Sequence, residues 1–107
     1  MRILDNFSTG KRENVPAGVE IFEASITNLE KIKPAFKGID GVFHTAALPR
    51  VQLSIEQPLE TNEVNVTGTL NVILAAREAK VKRIVYSASS SAYGDQAVLP
   101  LHEGMKP

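Results

Sequence analysis

The sequence predicts an α/β fold built on a parallel sheet. Three observations carry that prediction. Short apolar runs alternate with stretches of helical periodicity, as strands and crossover helices do in such folds. The runs are only a few residues long and rich in Val, Ile and Phe. Small or hydroxyl-bearing residues follow directly on two of them, Ala46-Ala47 and Ser87 to Ser91. Those are the strand ends at which open α/β sheets bind ligands.

The first run, Met1-Arg2-Ile3-Leu4, is a strand that stops at Asp5-Asn6. A loop follows, with Ser8-Thr9-Gly10 and Pro16-Ala17-Gly18 as turn signals. Val19 to Ala24 reads as the second strand. Asn28 can cap a helix over Leu29 to Phe36, closed by Gly38. Pro34 lies inside that helix, so it is expected to be short or bent. Ile39 to Thr45 is the third strand, and Leu48 to Pro58 reads as irregular. Val66, Leu70, Ile73, Leu74 and Arg77 then recur at helical steps and predict one long helix from about Leu59 to Lys80. Arg83 to Ser87 is the fourth strand, and it opens onto the serines and Tyr93-Gly94.

Composition narrows the function. The 107 residues suffice for one small domain. Lys plus Arg and Asp plus Glu number 12 each, so net charge gives no reason to expect a nucleic acid or an anionic membrane as partner. Without Cys, no disulfide and no thiolate metal site can form, and His44 and His102 lack ligand spacing. No apolar run approaches the roughly 18–20 residues of a membrane span. Asp5 and Asn6 break the apolar start too early for a signal peptide. A cytoplasmic location is the expectation.

Four places carry chemistry. Asp5, at a strand end, can accept hydrogen bonds from both ribose hydroxyls of an adenosine and would repel a 2′-phosphate; alternatively, Asp5-Asn6 is a plain turn. Ala46 and Ala47 let backbone approach a ligand closely, or simply pack under a helix. His44 beside them reads as a hydrogen-bonded packing residue. Asn65 is a poor helix former within a helix, either positioning backbone near a site or facing solvent. The serine run offers hydroxyls that can donate to a substrate oxygen, or else it is a polar linker.

In register, Leu4-Asp5-Asn6-Phe7-Ser8-Thr9-Gly10, Val42-Phe43-His44-Thr45-Ala46-Ala47, Asn65-Val66-Thr67-Gly68-Thr69 and Ser87-Ala88-Ser89-Ser90-Ser91-Ala92-Tyr93-Gly94-Asp95 resemble extended short-chain dehydrogenases. Within them, the NAD-dependent epimerase/dehydratase family is the nearest, and nucleoside-diphosphate-sugar 4-epimerases above all. The resemblance implies a partial Rossmann-like, doubly wound parallel sheet missing its first strand, with residues 1–107 as part of a single NAD-binding domain and the substrate domain absent. It implies that Asp5 and Asn6 hold the adenosine ribose, with Ser8, Thr9 and Gly10 lining the same region and Ile26 on the cofactor. Ala46 and Ala47 would run under the dinucleotide, Asn65 would support the site, and Ser87 would lie beside the nicotinamide. Ser89 would be the catalytic hydroxyl, and Ser90 and Ser91 would face the UDP-sugar or its phosphates. The implied cofactor is NAD, the implied chemistry is transient oxidation at sugar C4, and the implied assembly is a homodimer.

The chain also departs from the family. Ser25 stands where the family carries an Asp that meets the adenine amine. Pro49-Arg50 follows Ala47-Leu48 in place of a Lys, and Arg50 faces either phosphates or solvent. The glycine-rich turn is expected before Met1 and the Tyr-x-x-x-Lys pair after Pro107. Tyr93 does not serve, because Ala97 holds the Lys position. The expectations are therefore a piece that is inactive alone and marginal or misfolded in isolation, with a gap or a re-paired sheet where a strand is missing. Two other readings remain open. One is a dehydratase or decarboxylase of the same superfamily, and dehydration would need an acid/base pair where Ser90 and Ser91 stand. A truncated nucleotide-binding module would need no proton-transfer pair at all.

Overall fold

The computed structural model describes residues 1–106. Its strands form two parallel pairs. β1 (Arg2–Asp5) lies beside β2 (Glu20–Glu23), with Leu4 opposite Phe22 and Ile3 opposite Ile21. β3 (Gly41–His44) lies beside β4 (Arg83–Tyr86), with Val42 opposite Ile84 and Phe43 opposite Val85. The pairs are separate two-stranded sheets. Of the two outcomes expected for the absent strand, the structure has the gap and not the re-paired sheet.

A shared apolar cluster holds the two pairs in place. Side chains alternate across a strand, so Leu4, Phe22, Val42 and Ile84 all turn to one face. There they pack against Ile32 and Phe36 from one helical segment and Val72, Ala75 and Ala76 from another. The other face carries Ile21, Phe43 and Val85, and Phe43 is 80% exposed. Both described crossovers put their helices on the same face, so the second layer of a doubly wound sheet is not formed by residues 1–106. The radius of gyration, 15.7 Å, exceeds the roughly 13 Å of a compact domain of this length.

The first helical segment follows the sequence closely. α1 (Leu29–Ile32) is capped by Asn28, whose Oδ1 accepts the Lys31 N–H at 3.1 Å. It passes at Lys33–Phe36 into a 3-10 turn containing Pro34, which is the expected shortening. Gly38 then takes a φ of +73°, which favours glycine.

Two expectations are corrected. Leu48 to Pro58 is not irregular throughout, because α2 (Val51–Glu56) lies within it. Its signal is faint: six residues, two of them β-branched, with no side-chain N-cap. The long helix is not a uniform helix from Leu59 to Lys80. It runs as α3 (Pro58–Asn62), a π segment (Glu63–Gly68) and α4 (Thr69–Glu78). Nor is its apolar stripe the buried one. Leu70 is 53% exposed, with Val66 and Ile73 similar, whereas Gly68, Asn71, Val72, Ala75 and Ala76 are buried. Small residues let a helix approach a sheet closely, and a scale that rewards size picks the wrong face.

Candidate functional site

A cleft of about 420 Å³ opens at the C-terminal ends of β3 and β4. Its floor is the loop after β3, including Ala46, Ala47 and Leu48, and its wall is the helix at Asn65 and Thr69. Ser87 and Ser89 stand at its β4 side. Six of the residues singled out from sequence thus meet in one place: Ala46, Ala47, Arg50, Asn65, Ser87 and Ser89.

The Asn65 carboxamide joins wall to floor. Its Oδ1 accepts the Leu48 N–H at 2.8 Å, and its Nδ2 donates to the Leu48 carbonyl at 3.0 Å. Both polar groups of one loop residue are satisfied by one side chain, as a neighbouring strand would satisfy them. This decides between the two readings of Asn65: it positions backbone. Beside it, the Thr69 hydroxyl donates to the Asn65 carbonyl at 2.7 Å and lies 2.9 Å from His44 Nε2. On the β4 side, the Ser87 N–H donates to the His44 carbonyl at 3.1 Å and carries the strand pairing one residue further. Ser89 caps a 3-10 turn (Ser90–Tyr93), accepting the Ser91 N–H at 3.1 Å. Its own proton remains available to a ligand.

Ser90 and Ser91 begin that turn and do not line the cleft. Asp5, Asn6, Ser8, Thr9, Gly10 and Ile26 lie outside it too, at the ends of β1 and β2. Asp5 Oδ1 accepts the Phe7 N–H at 2.7 Å, and Asn6 Oδ1 accepts both the N–H and the hydroxyl of Ser8. The turn reading and the ligand reading of Asp5 are compatible, because only one oxygen closes the turn. The other lies 3.3 Å from where a Cβ on Gly10 would sit, so glycine keeps that side open. Arg12 stacks over Phe7 at 4.4 Å and pairs with Glu23. The Ile26 side chain is buried, and its carbonyl accepts from Asn71 Nδ2 at 2.9 Å. Ser25 pairs its hydroxyl with that of Thr27 at 2.9 Å.

Sequence reasoning missed Thr61, Thr69, Ser54 and Tyr86, all of which line the cleft. Thr69 was detectable. It stands one helical turn after Asn65, and Thr hydroxyls commonly bond back to the carbonyl four residues earlier. Ser54 and Thr61 depend on how α2 and α3 lie against the strand ends, and Tyr86 closes a strand that the sequence located without showing that its ring borders the cleft.

His44 is 4% exposed. Burial holds its pKa below the ordinary 6.5, because an imidazolium there loses its hydration. The sign follows from proton binding. Between pH 6.5 and the depressed folded value, the unfolded chain binds a proton that the folded chain does not. This contribution to stability is therefore complete above pH 6.5 and falls away as the pH drops towards the folded pKa. Urea midpoints taken from about pH 7.5 to about pH 5 should decline in the wild type and decline less in His44→Gln. Parallel profiles would show that burying His44 has no such cost.

The model of the NAD dependent epimerase/dehydratase family matches residues 1–107. The chain is 36% identical over 104 residues to the UDP-glucose 4-epimerase of Streptomyces lividans, a match that covers 94% of this chain and 32% of that protein. Its fold superposes on the UDP-glucose 4-epimerase of Thermus thermophilus, solved in complex with NAD, with a TM-score of 0.89. The identity there is 35%, over 99% of this chain and 35% of that one. Against the UDP-N-acetylglucosamine 4-epimerase of Methanobrevibacter ruminantium, solved with UDP-N-acetylmuramic acid, the TM-score is 0.85. The identity is 31%, over 97% of this chain and 34% of the other. The chain spans about a third of the length of these relatives. A family model matched along the entire sequence, and the same arrangement of strands and helices in solved relatives, lead to one conclusion: the chain belongs to the NAD dependent epimerase/dehydratase family.

Proposed function

We propose that this chain is the dinucleotide-facing part of a nucleotide-sugar 4-epimerase that works by transient oxidation at sugar C4. The observation that carries the reading is the clamped floor. Ala46 and Ala47, with no bulk above Cβ, form a fixed surface against which an extended ligand can lie, and Ser87 and Ser89 stand beside it. The group at β1 fits an adenosine ribose. Asp5 has a carboxylate oxygen to spare, and Gly10 leaves room to reach it. A carboxylate there accepts from both ribose hydroxyls and repels a 2′-phosphate, which favours NAD over NADP. Asn6, Ser8 and Thr9 complete that end, with the Ile26 backbone beside the adenine.

Bound NAD would supply the hydride acceptor. The chain's own work is positioning. Ser87 borders the nicotinamide end. Ser89, with its oxygen already accepting from Ser91, donates a hydrogen bond to the sugar oxygen and orients it. Ser90 and Ser91 lie on the substrate side, towards the UDP-sugar or its phosphates. Proton abstraction requires a base this chain does not bring, since Tyr93 has Ala97 where the partner Lys would stand. The chain incubated with UDP-glucose and NAD is therefore expected to form no epimerised sugar by NMR, and product would refute that. In the enzyme that contains this segment, Ser89→Ala should lower kcat by about 10²–10³, with KM changed far less. An unchanged kcat removes Ser89 from the reaction.

The same reading includes a homodimer. Val66, Leu70 and Ile73 form an exposed apolar stripe on the helix, and such stripes suit helix-to-helix association. In that enzyme Leu70→Glu should shift sedimentation towards the monomer, and an unaltered boundary would place the interface elsewhere.

A further inference from the structure

We propose that His44 is a positioning residue for the floor of the cleft, because the loop from His44 to Leu48 is pinned at both of its ends to a single helical turn, Asn65–Thr69. The significance for NAD rests on the function proposed above, but the pinning does not.

The hydrogen bonds fix the direction of the relay. Thr69 Oγ1 lies 2.7 Å from the Asn65 carbonyl and 2.9 Å from His44 Nε2. A carbonyl oxygen can only accept, and the hydroxyl has one proton, so that proton goes to Asn65. The hydroxyl oxygen must then accept from His44, and Nε2 carries the hydrogen. The opposite assignment would leave two oxygens 2.7 Å apart with no proton between them. His44 is therefore the neutral Nε2–H tautomer, and burial against the Tyr86 ring, 5.5 Å away, disfavours its charged form.

The other end of the loop closes on the same turn. Asn65 holds the N–H and the carbonyl of Leu48. Among the described residues, no backbone–backbone hydrogen bond holds Thr45 to Pro49. The loop that floors the cleft thus has no ladder of its own. Beyond the Ser87 bond to the His44 carbonyl, what orders it is the His44–Thr69 contact at its start and the Asn65 clamp at its end. Thr69 joins the two, because its hydroxyl bonds both the His44 ring and the backbone that carries the Asn65 side chain. The π segment covers four of these five turn residues, Asn65 to Gly68. Irregular turns of that kind shift which carbonyls the backbone amides reach, so a side-chain tie across it has orienting value.

The test is amide hydrogen exchange at Leu48 in the 107-residue chain, with Val72 in the buried part of α4 as reference for global opening. His44→Phe keeps a buried ring and removes the donor. It should speed Leu48 exchange relative to Val72 by about tenfold. His44→Gln, which places a donor near the Nε2 position, should restore most of the protection. Thr69→Val should behave as His44→Phe, and Thr69→Ser as the wild type. The imidazole nitrogen shifts of the wild type should report Nε2–H with a bare Nδ1. An Nδ1–H tautomer overturns the inference. So does a Leu48 amide that exchanges at the free-peptide rate in the wild type, or one whose ratio to Val72 is unchanged in Thr69→Val. If His44→Phe opens Leu48 and Val72 alike, the Thr69 pair decides. Titration with NAD of the enzyme that contains this segment, followed at the Ala46 and Ala47 amides, separates the two claims. Silent amides with an intact Leu48 result count against the cofactor reading alone, and responsive amides with an unaffected Leu48 count against the pinning alone.

Discussion

Ile32→Ala is expected to lower the free energy of unfolding by about 2–5 kcal/mol. Ile32 is the largest side chain with no solvent exposure, and it lies at the centre of the cluster that both strand pairs share. Of the seven buried apolar residues among those described, three are alanines, so few large side chains do most of the filling. A cavity at Ile32 cannot be closed by neighbours that have no length to spare. Domains of this size have only about 5–15 kcal/mol in total, and one with Phe43 and Val85 bare on its second face belongs at the lower end. The urea midpoint followed by circular dichroism should fall sharply, to the point at which Ile32→Ala no longer unfolds cooperatively. Ile73→Ala, on the exposed stripe, should move it by less than about 1 kcal/mol. Equal shifts for the two would mean that the cluster is not the core.

Gly68→Ala should cost about 1–3 kcal/mol. A Cβ at that position would come within 2.6 Å of Cγ1 and Cδ1 of Ile26. Ile26 is itself buried, and its carbonyl is tied to Asn71, so it cannot swing aside freely. The mutation gains the helix propensity of Ala, up to about 1 kcal/mol, and an overpacked contact outweighs that. Ile26→Val in the same chain should recover part of the loss by clearing Cδ1. If Gly68→Ala proves neutral or stabilising in thermal melts, then the close approach between the helix and the segment after β2 is not tight. The position matters for function as well, since displacing Ile26 would displace the backbone beside the proposed adenine end.

Strand order along the chain was legible because each apolar run is short, bounded by turn residues and followed by small or polar side chains. The cap at Asn28 and the break at Pro34 were legible because both act through local backbone chemistry. The cleft was legible in part. Ala46-Ala47 and the serines lie directly after strands, and a strand end is recognisable without knowing what packs beside it. The failures share a cause. Val66, Leu70 and Ile73 form the better hydrophobic pattern, but burial went to Gly68, Ala75 and Ala76 because helix and sheet approach closely. α2 left little local signature, so the contribution of its Ser54 to the cleft could not be read from spacing, and Thr61 of α3 gave no sign that its helix reaches the cleft.

The family, the succession of strands and crossovers, and the hydroxyls and small residues at strand ends all follow from the order of residues, because each depends on neighbours along the chain. Folding in three dimensions was needed to establish that Asn65 grips Leu48, that His44 reaches Thr69, and that the two strand pairs meet on one small core and not through a ladder. The hydrogen bonds from Asn65 to Leu48, His44 to Thr69 and Asn71 to Ile26 join residues 17, 25 and 45 positions apart. Their formation depends on how closely the helix lies on the sheet, a distance set by packing and not by any local preference.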